Sequence, residues 1–182
     1  GWQVSVLVDH PPSIAFAQPP RPTHRSVLEL GYAASDDYGI ARVALDFALV
    51  ERPLEVDRAV LAEPARAPAE VESTTYLDLT AHPLAGLEVE LTLVAEDGLG
   101  QVGRSEPVRM VLPERVFEHP LARAVIALRR RLVREPGERR AVAGELDDLA
   151  ESDLAAAAGT TVQLGLAVAT ARLRGAREAE ER

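Results

Sequence analysis

The first 112 residues alternate apolar and polar side chains with few breaks, and a period of two suits only strands that keep one face in a core and the other in water. Trp2, Val4, Val6 and Val8 fall on one face, as do Leu28, Leu30 and Tyr32, with Glu29 on the other. A further run sets Val43, Leu45, Phe47 and Leu49 inward and Arg42 and Asp46 outward. Another sets Leu87, Val89, Leu91 and Leu93 inward and Glu88, Glu90 and Thr92 outward. Shorter runs lie at Ile14 to Phe16, Thr75 to Leu79 and Val108 to Leu112.

Turn-forming residues separate these runs. Ser35-Asp36-Asp37-Tyr38-Gly39 and Glu96-Asp97-Gly98-Leu99-Gly100 each combine a glycine, which accepts positive φ, with an aspartate that can close an Asx turn on the backbone. The stretch Ala62 to Ala69, with Pro64 and Pro68, reads as an exposed and mobile loop. Residues 1–113 are therefore expected to form an all-β, immunoglobulin-like sandwich of about seven strands.

After Pro113 the apolar period changes from two to that of a helix. Leu121, Ala124, Val125, Leu128 and Leu132 make one stripe, with Arg123, Arg130 and Arg134 opposite and Pro120 suited to the first turn. Glu135-Pro136-Gly137 should end this helix. A second carries Val142, Leu146 and Leu149 on one side. Ser152 or Asp153 should cap a third, from Leu154 to about Arg174, ahead of a charged tail from Arg177 to Arg182. Residues 114–182 are thus an α-helical segment of about three helices, expected to pack on or next to the sandwich. Leu112 to Ala122 reads as a fixed joint in which Val116 and Phe117 are packed. The third helix has no charge from Leu154 through Ala171, yet alanine, threonine, glycine and Gln163 leave too few large apolar side chains to favour lipid. Close packing through Ala157, Ala158, Gly159 and Gly165 is the expectation instead.

The formal charge of −9 sits on the first part: residues 1–113 hold 17 acids and 8 arginines, residues 114–182 hold 12 of each. Phosphate binding needs an excess of positive side chains, so nucleic acid is excluded as a partner. There is no cysteine, hence no disulfide and no thiolate metal site, and all 20 basic residues are arginine. Lysine and asparagine, the residues with adenine-rich codons, are both missing, which points to a GC-rich bacterial genome. The start at Gly1 shows no signal peptide and reads as an excised piece of a longer protein.

The strongest candidate for chemistry is acidic. In such a sandwich the turn after the second strand and the turn before the last lie at one end, so Asp36 and Asp37 would meet Glu96 and Asp97, candidate ligands for a calcium ion. Neither segment has the spacing of a dedicated calcium loop, and Asp-Gly pairs also serve ordinary turns. No metal is assigned. His10, His24, His82 and His119 lack metal-ligand spacing, and Ser35 and Ser105 lie in no nucleophile motif. Glu88 and Glu90 share a strand face that is simply solvated. Arg129-Arg130-Arg131 should pair with the acidic second helix. No catalytic residue and no cofactor is expected. Among Trp2, Tyr38 and Tyr76, the aromatics able to reach the surface, Tyr38 is the candidate binding residue.

Tyr32-Ala33-Ala34-Ser35-Asp36-Asp37-Tyr38-Gly39-Ile40, His82-Pro83-Leu84-Ala85-Gly86, Leu93-Val94-Ala95-Glu96-Asp97-Gly98-Leu99-Gly100-Gln101 and Leu112-Pro113-Glu114-Arg115-Val116-Phe117-Glu118-His119-Pro120-Leu121-Ala122 follow one another in an order and content that resemble domain-of-unknown-function family 4175, uncharacterised alphaproteobacterial membrane proteins. The resemblance implies a longer parent with membrane helices ahead of this chain, extracytoplasmic immunoglobulin-like modules, and a helical, low-complexity region behind. It implies a place at the periplasmic face of the inner membrane and no assigned reaction. The expected function is a non-enzymatic extracytoplasmic interaction or structural module of a membrane-anchored bacterial envelope protein. Its partners would be other envelope proteins or the rest of its parent, the membrane being reached only through segments outside this chain. The alternative is a carbohydrate or peptidoglycan binding module, calcium-assisted at the acidic loops.

Overall fold

Each alternating run within residues 9–175, which the computed structural model describes, lies on a strand, though β1 runs six residues past its run, β5 starts five residues before its own and β6 runs four residues past. The expected strand from Trp2 to Val8 and the charged tail from Arg177 to Arg182 lie outside the described residues. The chain divides into two units, residues 1–114 and 115–182.

In the first unit, eight strands are seen among the described residues: β1 (Ser13–Pro22), β2 (Leu28–Ser35), β3 (Ile40–Leu49), β4 (Asp57–Ala62), β5 (Glu70–Leu77), β6 (Glu88–Asp97), β7 (Val102–Arg104) and β8 (Val108–Val111). They form two antiparallel sheets in a sandwich-like arrangement. One has the order β1-β2-β5; the other runs β4-β3-β6-β7, with β8 also paired to β6. The core is what the alternation demands: Leu28, Leu30 and Tyr32 from β2, Val43, Leu45 and Phe47 from β3, and Val89, Leu91 and Leu93 from β6 are all buried. Each such side chain contributes about 1.5–3 kcal/mol on full burial, which pins the register, since a one-residue slip would turn the whole set outward.

Three features depart from expectation. β4 and β7 were not foreseen: β4 is an edge strand whose Val60 stays exposed, and β7 is three residues long, so neither carries a clean alternation. Asp46, placed outward by the period, does point off the core face of β3, yet it is 5% exposed because Arg58 and Arg104 cover it. The loop that begins at Ala62 was expected to be mobile, but its far end is bonded to the β2–β3 turn. Asp36 N–H donates to the Ala69 carbonyl at 2.9 Å and Ile40 N–H to that of Pro68 at 2.8 Å. Gly39, at φ +92°, permits this approach, because a Cβ there would stand 2.3 Å from the Ala67 carbonyl oxygen.

In the second unit, α1 (Pro120–Arg134) ends where Pro136–Glu138 make a 3-10 turn, and α2 (Arg139–Glu151) follows. The His119 ring nitrogen caps α1 by accepting the Leu121 N–H at 3.2 Å. The expected single third helix is instead two, α3 (Asp153–Ala158), capped by Ser152, and α4 (Thr160–Gly175). Gly159 breaks it at φ +103°, a conformation that side chains resist. Leu121, Leu146, Ala150, Ala155 and Leu166 form this unit's core, with Val125, Leu128, Leu149, Ala169 and Leu173 against it. The small residues do not pack as expected: Ala157, Ala158 and Gly165 are exposed, and nothing lies within 4 Å of a Cβ built on Gly165. Val116, expected to be packed, is also exposed. Among the described residues no helix is long and apolar enough to cross a membrane.

Candidate functional site

Register brings three segments to one end of the sandwich. The β1–β2 pairing sets Ser13 opposite Ser35, so the residues before β1 lie beside the turn after β2. The β3–β6 pairing sets Ile40 opposite Asp97, which brings the β6–β7 turn to the same end. A further constraint ties the start of β1 to β7: a Cβ on Gly103 would stand 1.7 Å from the Pro12 carbonyl oxygen, so the backbones meet where only glycine fits. This approach delivers Asp9 to the β6–β7 turn, where it accepts a hydrogen bond from the Gln101 side-chain amide.

The aspartates share one bonding pattern. Asp97 Oδ1 accepts from Leu99 N–H and Gln101 N–H, each at 2.8 Å, closing the turn as expected. Asp36 Oδ2 accepts from Tyr38 N–H at 2.8 Å in the same Asx manner. In each carboxylate one oxygen is engaged, while Asp9 Oδ1, Asp36 Oδ1 and Asp97 Oδ2 are buried without a hydrogen-bond partner. Asp97 itself is 2% exposed. Burial pushes the Asp9 carboxyl above its ordinary range; the Gln101 hydrogen bond opposes this, and the charges of Asp37, Asp97 and Asp36 add to it.

Of the four acids picked out in the sequence, Asp36, Asp37 and Asp97 therefore converge, and Glu96 does not. Being adjacent to Asp97 on a strand, it projects to the other face and lies 3.6 Å from Arg42, which also binds Glu63 at 2.8 Å. Asp9 takes its place. The signal for it was the Pro11-Pro12 pair just after it: once the first strand starts behind those prolines, the residue ahead of them must lie beside the turn after β2. Among the described residues no three His, Asp or Glu side chains are gathered closely enough, as they stand, to hold a metal ion. Next to this cluster a cavity of about 370 Å³ is lined by His10, Pro11, Ser13, Ser35, Asp36 and Asp37, with Ala69 and Glu70. Tyr38, the candidate binding residue, is 49% exposed.

Elsewhere the groups singled out serve the fold. Ser105 Oγ accepts from Leu93 N–H and donates to the Glu106 carbonyl, both at 2.9 Å, bridging the gap between β7 and β8. His82 packs edge-on against Phe47 with ring centroids 5.0 Å apart, and its Nδ1 accepts from Leu84 N–H. Glu90 pairs with Arg109 at 3.2 Å. Arg131 binds Glu145 of α2 at 2.5 Å and Glu138 at 2.8 Å, the acidic pairing expected for the arginine run. The family model for the Domain of unknown function (DUF4175) matches residues 1–182, the whole chain. No curated protein matches it.

Proposed function

Since this chain belongs to the DUF4175 family, we propose from its own residues that it is a non-enzymatic extracytoplasmic interaction or structural module of a membrane-anchored bacterial envelope protein. The observation that carries the reading is how the reactive side chains are spent. Ser105 stitches a sheet edge, His119 caps a helix, His82 seats a loop and Asp46 anchors two arginines, so the polar groups build a scaffold. The strand order, β1-β2-β5 in one sheet and β4-β3-β6-β7 in the other, supports an immunoglobulin-like sandwich, a fold widely used for spacing and contact at cell surfaces. The periplasmic face of the inner membrane is the proposed site of action, with other envelope proteins or the rest of the parent chain as partners. Proximity labelling with the full-length parent in its native envelope tests this: recurrent periplasmic neighbours are the expected outcome, and exclusively cytoplasmic labelling refutes it.

A second reading, a carbohydrate or peptidoglycan binding module, draws on Tyr38, whose exposed ring stands in the turn beside the cavity at the acidic end. A peptidoglycan pull-down that Tyr38→Ala abolishes would favour it, and retention of nothing by the unaltered chain would remove it.

A further inference from the structure

We propose that the outer edge of β5 takes up an extended, basic segment of another protein as an added antiparallel strand, with arginine or lysine of that segment set against Glu70 and Glu72. The edge is then the contact surface of the interaction module already proposed, a reading on which this one rests. β5 ends the β1-β2-β5 sheet, and its 8 residues pair with β2 in unbroken register, from Glu70 opposite Ser35 to Leu77 opposite Leu28. Successive residues of an antiparallel strand turn their N–H and C=O groups to alternate sides, so about half of those on β5 face away from β2, a ready template for a further strand. The other sheet ends are blunted. β1 carries Pro19, Pro20 and Pro22 and two register shifts, β4 has a shift against β3, and β7 and β8 are 3 and 4 residues long. β5 has no proline, no glycine, no positive charge and no bulge, and its Val71, Thr74, Thr75 and Tyr76 favour an extended chain.

The side chains of β5 define what such a strand must carry. Val71, Thr75 and Leu77 lie opposite buried Ala34, Leu30 and Leu28 on the core side yet stay half-buried themselves, so they call for apolar neighbours on the incoming strand. On the outer face stand Glu70, Glu72, Thr74 and Tyr76, all exposed. Elsewhere on the sheets Glu29 is matched by Arg21, Glu90 by Arg109, and Glu63 and Glu96 by Arg42. Glu70 and Glu72 meet no arginine among the described residues. They wall a cavity of about 570 Å³ whose floor is made of small side chains, Ser13 and Ala15 of β1 with Ala33 and Ser35 of β2. A strand added at the usual spacing of about 4.8 Å brings a long cationic side chain between the two carboxylates, at the rim of that floor. A second copy fits less well, because each chain carries a formal charge of −9 and pairing β5 with itself would gather the glutamates of both at one seam.

The test is fluorescence anisotropy of a dye-labelled synthetic peptide titrated with the full chain. The peptide sets valine on its inward face, threonine opposite Tyr76 and Thr74, and arginine opposite Glu72 and Glu70. Saturable binding is expected, weakening about tenfold when glutamate replaces both arginines, as two exposed ion pairs allow. Glu70→Arg combined with Glu72→Arg should invert that preference. Ser73 and Thr74 turn their N–H groups to opposite sides of β5, so one of Ser73→Pro and Thr74→Pro leaves the β2 ladder intact, and whichever keeps the melting temperature should lose the peptide. If both melt lower, the charge inversion carries the comparison alone. No binding at about 1 mM peptide, equal binding of both peptides, binding that a folded proline variant retains, or a dimer of the chain that such a variant abolishes overturns the proposal. None of these outcomes bears on the periplasmic labelling, which tests the module's place separately.

Discussion

Asp46 sits on the outer face of β3, paired across to Arg58 of β4 and Thr92 of β6, and is held by Arg58 Nε at 2.5 Å and Nη2 at 2.8 Å and by Arg104 Nη1 at 3.0 Å. Arg58→Ala would leave this 5% exposed carboxylate with Arg104 alone. Two charge-assisted hydrogen bonds set an upper bound of roughly 3–6 kcal/mol. The Arg58 side chain is 46% exposed and so well screened, and Arg104 remains, which reduces the expected loss to about 1.5–3 kcal/mol. Asp46→Ala should cost less, because both arginines then return to water. The double variant should be about as stable as Asp46→Ala, so that the coupling energy equals the cost of Arg58→Ala, about 1.5–3 kcal/mol, by urea unfolding. The coupling is pH-dependent with a definite sign. Burial alone would raise the Asp46 carboxyl, but the hydrogen bonds from Arg58 and Arg104 outweigh it and hold it below its ordinary range. A depressed folded-state value means that stability is present in full above the unfolded value of about 3.9 and is lost as pH falls through the folded one. The gap between the unaltered chain and Arg58→Ala should therefore narrow below about pH 4. Costs that simply add to within about 0.3 kcal/mol, or a gap indifferent to acid, would refute the reasoning.

Gly103→Ala sets a Cβ 1.7 Å from the Pro12 carbonyl, with backbone on both sides. A loss of at least about 2 kcal/mol in a urea melt is expected, and an unchanged midpoint would show that the two strands do not meet as described. At Gly159, φ +103° and ψ 159° exclude a side chain, so Gly159→Ala should destabilise the helical unit by about 1–3 kcal/mol; a rise in both helicity and melting temperature would instead mean that α3 and α4 join into one helix. Arg131→Ala breaks contacts with half-exposed Glu145 and Glu138 and should leave the urea midpoint nearly unchanged, any small loss fading in high salt; a large, salt-independent loss would contradict a solvated pair.

Much of the site was legible where local rules sufficed and illegible where they met. The Asx turns at Asp36 and Asp97 follow from the residues within each turn, and both are found. Glu96 was grouped with Asp97 because the two are neighbours in sequence, although adjacent strand residues point to opposite faces. Asp9 went unnoticed because its partner, Gln101, is 92 positions away. Asp46 is a similar case: the period says which face it leaves by, but only Arg58 and Arg104 from other strands decide that this face is closed to water.

The sequence by itself determined the parts that depend on periodicity and on single residues. Alternation made strands such as β2, β3 and β6 with Leu28, Leu45 and Leu91 inward, the 3.6 period made helices after Pro113, and Pro120 and Ser152 marked where two of them begin. Tertiary structure alone decided what depends on neighbours brought from elsewhere in the chain. It made edge strands of β4 and β7, left Ala157, Ala158 and Gly165 exposed, and gathered Asp9, Asp36, Asp37 and Asp97 at one end. The physical reason is the range of the forces: side-chain alternation and capping act over a few residues, whereas desolvation and charge act on whatever the fold brings near.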